Sequence, residues 1–126
     1  MIIASLLLIP PIMSKLLNRE IFHKDGDILN VMSLTFSKGL CGMPHFNKDR
    51  DEVLFVEKGA LQLLLFDGEL NEIERIELSR LDSDCKLWFR IPKNTIHQFD
   101  ILVDNTVVIE VLGGEFFSGA CVNVQL

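Results

Sequence analysis

The sequence predicts an all-β domain folded as a jelly roll, two antiparallel sheets packed face to face. Three observations predict it. From residue 28 onward, short apolar runs follow one another at 28–36, 53–57, 60–66, 72–78, 87–91, 96–102, 106–112 and 120–125, a spacing that suits strands and is too short for packed helices. Between them lie Ser37-Lys38-Gly39, Lys58-Gly59, Asp67-Gly68, Leu81-Asp82-Ser83-Asp84, Pro92-Lys93-Asn94 and Asp104-Asn105, residue types that supply a positive or a fixed φ at turns. Finally, 60–66 is apolar on both faces whereas 72–78 is charged along much of its length, so one strand is buried on both faces and the other keeps a wet face. About eight or nine such strands make a double-sheet sandwich.

In chain order, residues 1–18 read as an apolar N-terminal arm, opening MIIASLLLIPPIM. The arm lacks the basic region and small-residue cleavage site of an export signal, and about 13 apolar residues broken by Pro10-Pro11 fall short of the roughly 20 that cross a bilayer as a helix. It is expected to pack as a strand or extended arm on the body or on a partner subunit, with one short helix at 12–18. Residues 19–126 form the single domain. Within it, 28–36 opens the strand series, and Asp67-Gly68 joins 61–66 to 73–78 as a hairpin. Pro92 ends one strand, and His97 lies at the start of the next.

One domain is also what 126 residues allow. Twelve Lys and Arg against eighteen Asp and Glu give a formal charge of −6, which leaves no electrostatic footprint for nucleic acid or an anionic membrane. Nine Phe and a hydrophobic fraction of 48% fill a core. The remaining apolar surplus, a mean hydropathy of +0.30, points to a homodimer. Cys41, Cys85 and Cys121 are odd in number and carry no C-x-x-C, which argues against a disulfide framework or zinc knuckle and for a reducing, cytoplasmic home.

Only three histidines are present, His23, His45 and His97, so an imidazole site has few ways to form. The segment 39–59 reads GLCGMPHFNKDRDEVLFVEKG. On a strand His45 and Asn47 share one face. Glu52 opens the next run after the polar turn 48–51, where an antiparallel partner brings it beside His45. In RIPKNTIHQF, His97, Phe99 and Ile101 share a face, and His97 is the imidazole available to complete the group.

These residues resemble the two motifs of the cupin superfamily, G-x5-H-x-H-x(3,4)-E-x6-G and G-x5-P-x-G-x2-H-x3-N. The first is met at Gly39, His45, Glu52 and Gly59, and the second at Pro92 and His97. Asn47 replaces the second histidine, Asn94 the glycine of P-x-G, and Ile101 the final asparagine. Asn94 is a mild change because Asn tolerates positive φ, whereas Asn47 offers an amide oxygen, a weaker donor than imidazole. Within the superfamily, EVLFVEKGALQLLLFD, IPKNTIHQF and VVIEVLGGEF are similar to the WbuC-type cupin-fold metalloproteins of bacterial surface-polysaccharide clusters, over residues 19–117. The resemblance implies a double-stranded β-helix, a cupin jelly-roll barrel or sandwich, with a metal at its mouth.

His45, Glu52 and His97 then form a 2-His-1-carboxylate set, suited to Fe(II) with open positions and to Zn, Ni or Mn with a closed or water-filled site. Asn47 is a weak fourth ligand. The alternative is a polar pocket without metal, His45 bonded to Glu52. Gln62 and Phe99 are pocket-lining candidates, and Glu110 is a candidate general acid/base or ligand-orienting partner if Val108 and Glu110 face inward. His23 is expected as a solvated loop residue or at the pocket rim, and Cys41 as a buried inert thiol. Arg90 and Lys93 are expected on a solvated face or at an anionic ligand, and Trp88 in the core or an interface. Three functions follow: a module binding a divalent metal or a small sugar-like ligand, linked to carbohydrate or surface-polysaccharide metabolism; a sugar or nucleotide-sugar isomerase or epimerase; and an Fe(II)-dependent oxygenase.

Overall fold

The computed structural model describes residues 15–114 and 119–125. Eleven strands occur among them: β1 (Leu16–Ile21), β2 (Leu29–Phe36), β3 (Gly39–Leu40), β4 (His45–Asn47), β5 (Glu52–Lys58), β6 (Ala60–Phe66), β7 (Glu72–Ser79), β8 (Trp88–Ile91), β9 (Ile96–Ile101), β10 (Thr106–Gly113) and β11 (Cys121–Asn123). One sheet has the order β1-β2-β10-β5-β8; the other has β11-β4-β9-β6-β7, with β3 also on β9. All named ladders are antiparallel. Among the described residues the sheets pack as a sandwich and do not close into a barrel. Where their β7 and β8 edges meet, a single isolated bridge links Leu78 to Lys86. No helix among the described residues is long and apolar enough to cross a membrane.

Strict alternation builds the core. On β2, Met32, Leu34 and Phe36 point inward, and on β10 Thr106, Val108, Glu110 and Leu112 do so. Facing them are Leu61, Leu63 and Leu65 of β6 and Phe99 and Ile101 of β9. Register then sorts polarity along the sandwich. At one end, Phe36 pairs with Thr106 and Leu34 with Val108, and Ile101 with Leu61. At the other end the inward rows turn polar, with Asn30 opposite Leu112, Leu112 opposite Glu52, and His45 opposite His97. Polar groups buried in one layer at one end need partners there, and that requirement defines the site.

Some expectations change. Residues 16–18 belong to β1, not to a helix, because Leu16 and Ile21 pack on the core while the backbone pairs with β2; residues 12–14 of that expected helix, like the first fourteen of the arm, lie outside the described residues. The strand also runs across position 18, where the arm was expected to end. The β6–β7 hairpin forms, but over the five residues 67–71. Asp67 Oδ1 accepts the amides of Glu69 and Asn71, and the positive φ falls on Leu70 rather than on Gly68. Trp88 is not in the core: it stands 61% exposed on the edge strand β8.

Candidate functional site

Two imidazoles are placed by register. His45 and His97 sit directly opposite across β4 and β9, so their side chains share the inner face, and the rings lie tilted on one another with centroids 4.4 Å apart. Each Nδ1 faces a carbonyl two residues upstream, His45 at 3.1 Å from Met43 O and His97 at 2.8 Å from Thr95 O. A carbonyl only accepts, so Nδ1 carries the hydrogen and Nε2 is left with a bare lone pair. Burial, with the charge of His97 adding to it, pushes His45 down to about 3; burial pushes His97 down to about 4. Both rings are neutral at physiological pH. Phe99 lies beside them, fully buried, with its centroid 6.5 Å from His45 and 6.0 Å from His97.

Two carboxyls face them from the other sheet. Glu52 and Glu110 point inward from β5 and β10, 2% and 3% exposed, and are hydrogen-bonded to one another. Burial pushes Glu52 up to about 7, while its hydrogen bonds to Glu110 and Asn47 and the charge of Arg50 hold it down. Burial and then the charge of Glu52 lift Glu110 well above the ordinary range. Both carboxyls are thus pushed toward holding a proton, and a pair that shares one proton sets a base and an acid side by side. Asn47 Nδ2 donates to Glu52 Oε1 at 2.8 Å. His97 Nε2 is 3.3 Å from the same oxygen, yet it has no hydrogen-bond partner among the described residues. The asparagine thus anchors the carboxylate from a position where a second histidine would offer a ligand atom.

Arg50 is a site residue that no sequence pattern announces. A turn arginine reads as solvated, but this one is 3% exposed. Its Nε donates to Gly113 O and its Nη2 to Gly114 O, both at 3.0 Å, and Nη2 also donates to Asn30 Oδ1. Cys121 was also missed. It pairs with Asn47 from β11, and burial followed by the charges of Glu110 and Glu52 pushes its thiol up to about 12.

Of the remaining candidates, Gln62 does not line the site. It lies on the outer face of β6, where Arg75 Nη1 donates to its Oε1 at 2.9 Å. His23 is half-buried and structural, its Nδ1 accepting the Val31 amide at 3.0 Å. Arg90 is paired with Asp51 at 2.5 Å, and the Lys93 amide donates to the same carboxylate. Cys41 is fully buried, its thiol pushed up to about 12 by burial.

No protein-family model matches the chain, and a comparison with curated proteins finds no match. Solved structures do match. KdgF from Halomonas sp. superposes with a TM-score of 0.61 at 24% identity, over 78% of this chain and 80% of that one. CapF superposes with a TM-score of 0.64 at 20% identity, over 86% of this chain and 31% of that one. A variant of the Bacillus subtilis oxalate decarboxylase gives a TM-score of 0.62 at 10% identity, over 87% of this chain and 31% of that one. The fold is a cupin fold. Its first motif falls on β4 and β5, carrying His45 and Glu52, and its second on β9, carrying His97. Asn94 has a φ of 64°, so the asparagine at the cupin glycine position adopts the turn that the glycine serves.

The metal that cupins imply can be tested on these side chains. The bare, neutral Nε2 of His97, buried and without a partner, has the chemistry of a ligand atom. Against this, Glu52 Oε1 is already held by Asn47. Among the described residues, no group of three His, Cys, Asp or Glu is arranged to hold a metal ion. The side chains are of types that ligate divalent metals, but their present arrangement serves the carboxyl pair.

Proposed function

We propose that the chain is a sugar or nucleotide-sugar isomerase or epimerase, moving a proton at a carbon next to a carbonyl. The observation that carries this reading is the hydrogen-bonded Glu52–Glu110 pair, buried beside the neutral His97. Glu52 accepts the C–H proton, Glu110 donates to the carbonyl oxygen, and His97 Nε2 receives a hydroxyl hydrogen of the substrate. A proton returned to the neighbouring carbon isomerises the sugar, and one returned to the opposite face epimerises it. Both outcomes are redox-neutral and need no co-reactant. The resemblance to the WbuC-type proteins supports a carbohydrate substrate from surface-polysaccharide metabolism, the three unpaired cysteines support a cytoplasmic home, and the apolar surplus supports a homodimer.

A second reading is favoured by the unpartnered Nε2 of His97: a divalent metal bound by His45, Glu52 and His97, with Asn47 as a weak fourth ligand. Such a metal, when bound, polarises a carbonyl or steadies an enediolate. Incubating the protein with glucose, fructose and N-acetylmannosamine in D2O, before and after chelator treatment, tests both readings. The expected result is deuterium at the carbon next to the carbonyl, seen by NMR, with at least about a hundredfold loss in Glu110→Gln. No incorporation from any of these sugars, with or without added Zn, Mn, Fe(II) or Ni, rejects the proton-transfer reading. Near-stoichiometric metal that disappears in His97→Ala supports the second reading.

A further inference from the structure

Two buried side-chain nitrogens without a hydrogen-bond partner stand out among the described residues, His97 Nε2 and Arg50 Nη1. The first belongs to the site already described. The second has no use in that chemistry, and a buried, unsatisfied guanidinium edge is costly.

Arg50 is not a loosely packed side chain. Its Nε and Nη2 are spent on Gly113 O, Gly114 O and Asn30 Oδ1, three acceptors on the strand ends that close the polar end of the sandwich. A guanidinium is planar and rigid, so these bonds on its Nε and Nη2 also fix where Nη1 points. The charges bearing on the group are those of Glu52 and Glu110, and Asn30, Leu112 and Glu52 stand in one register row. The unused donor thus belongs to the polar end of the sandwich, on a guanidinium that lies in the field of Glu52 and Glu110. It is a pure donor with a full positive charge, and the group that best completes it is an anionic oxygen.

We infer that Arg50 is an oxyanion-binding residue, and that the ligand of this site is an acidic sugar whose carboxylate or phosphate is received at Arg50 Nη1. The inference rests on the reading of the site as one for sugars and adds the class of sugar. The carboxylate of a sugar acid and the phosphate of a sugar phosphate share the chemistry, and the test separates them.

Isothermal titration of the wild-type chain with D-glucose, D-glucuronate and D-glucose 6-phosphate is the first arm. One of the two anions is expected to bind about ten- to hundredfold more tightly than glucose, as a charge-assisted hydrogen bond implies, and its identity assigns carboxylate or phosphate. The second arm is the Arg50 side-chain Nε–H resonance in wild-type protein, which should move on titration with the preferred anion and stay in place with glucose. The third is Arg50→Lys and Arg50→Gln, expected to lose that preference while keeping affinity for glucose. Equal binding of all three sugars overturns the inference, leaves Nη1 to a buried water and lets the proton-transfer reading stand. A preference that persists in both variants, or an Arg50 resonance that does not respond, also overturns it. Binding of none overturns the sugar site itself and this inference with it. Should neither variant fold, the titration and the resonance decide on wild-type protein alone.

Discussion

Glu110 and Glu52 oppose His45 and His97 when the stability of the fold is followed against pH. The carboxyls, raised from 4.5, hold protons in the folded chain where the unfolded chain has released them. Their contribution is complete below 4.5 and is lost as pH rises through about 7 for Glu52 and through the raised range of Glu110. The imidazoles, lowered from 6.5, stay neutral in the folded chain where the unfolded chain is protonated. Their contribution is complete above 6.5 and is lost as pH falls through about 4 and about 3. Between 4.5 and 6.5 the two effects cancel in sign. In EDTA, Tm should therefore be nearly flat across that window and fall on either side. Glu110→Gln, which keeps a hydrogen bond to Glu52 and has no proton to release, should remove much of the alkaline fall; a wild-type Tm that climbs steadily from pH 5 to pH 8 contradicts this account. That His45, Glu52 and His97 lie together is legible in the sequence through the cupin motifs that it resembles. Gln62 was misread because alternation on a strand apolar on both sides does not say which face is inside, and Leu61, Leu63 and Leu65 take the inner one. Arg50 was invisible because nothing local distinguishes a turn arginine that reaches solvent from one that folds back under a sheet end.

At the scale of elements, strands from β5 to β10 follow the apolar runs closely, since runs bounded by turn residues carry both the period and its limits. β3 and β4 span only two and three residues, too few for a period to show, and β1 looks helical until its pairing with β2 is known. Turns carry their own constraint. Gly59, between β5 and β6, has a φ of 85°, and a Cβ there would collide with the Thr106 hydroxyl and Cα. That hydroxyl also bonds Val103 O at 2.8 Å and the Ala60 amide at 3.3 Å, so it has little freedom to yield. Gly59→Ala should cost about 2–4 kcal/mol in urea unfolding, combining left-handed strain with the clash. A cost below about 0.5 kcal/mol would mean that the turn relaxes freely.

Across the whole molecule, apolar side chains remain uncovered on one flank: Leu17 is 58%, Phe22 62%, Ile28 80% and Leu29 51% exposed. They gather around β1 and its connection to β2, and a patch of this kind supports the proposed homodimer. Light scattering at micromolar concentration should give twice the 14.3 kDa chain mass, and Phe22→Lys with Ile28→Lys should halve it; a wild-type monomer rejects the dimer. The strand order has a further consequence, during synthesis. β10 lies between β2 and β5, pairing with both along nearly its whole length, yet it is made after both. Until Thr106–Gly113 has left the ribosome, β2 and β5 each lack an inner neighbour, and the Glu52–Glu110 bond cannot exist. The nascent chain therefore waits with two sticky strand edges open, the state in which chaperones find a substrate and in which neighbouring nascent chains aggregate.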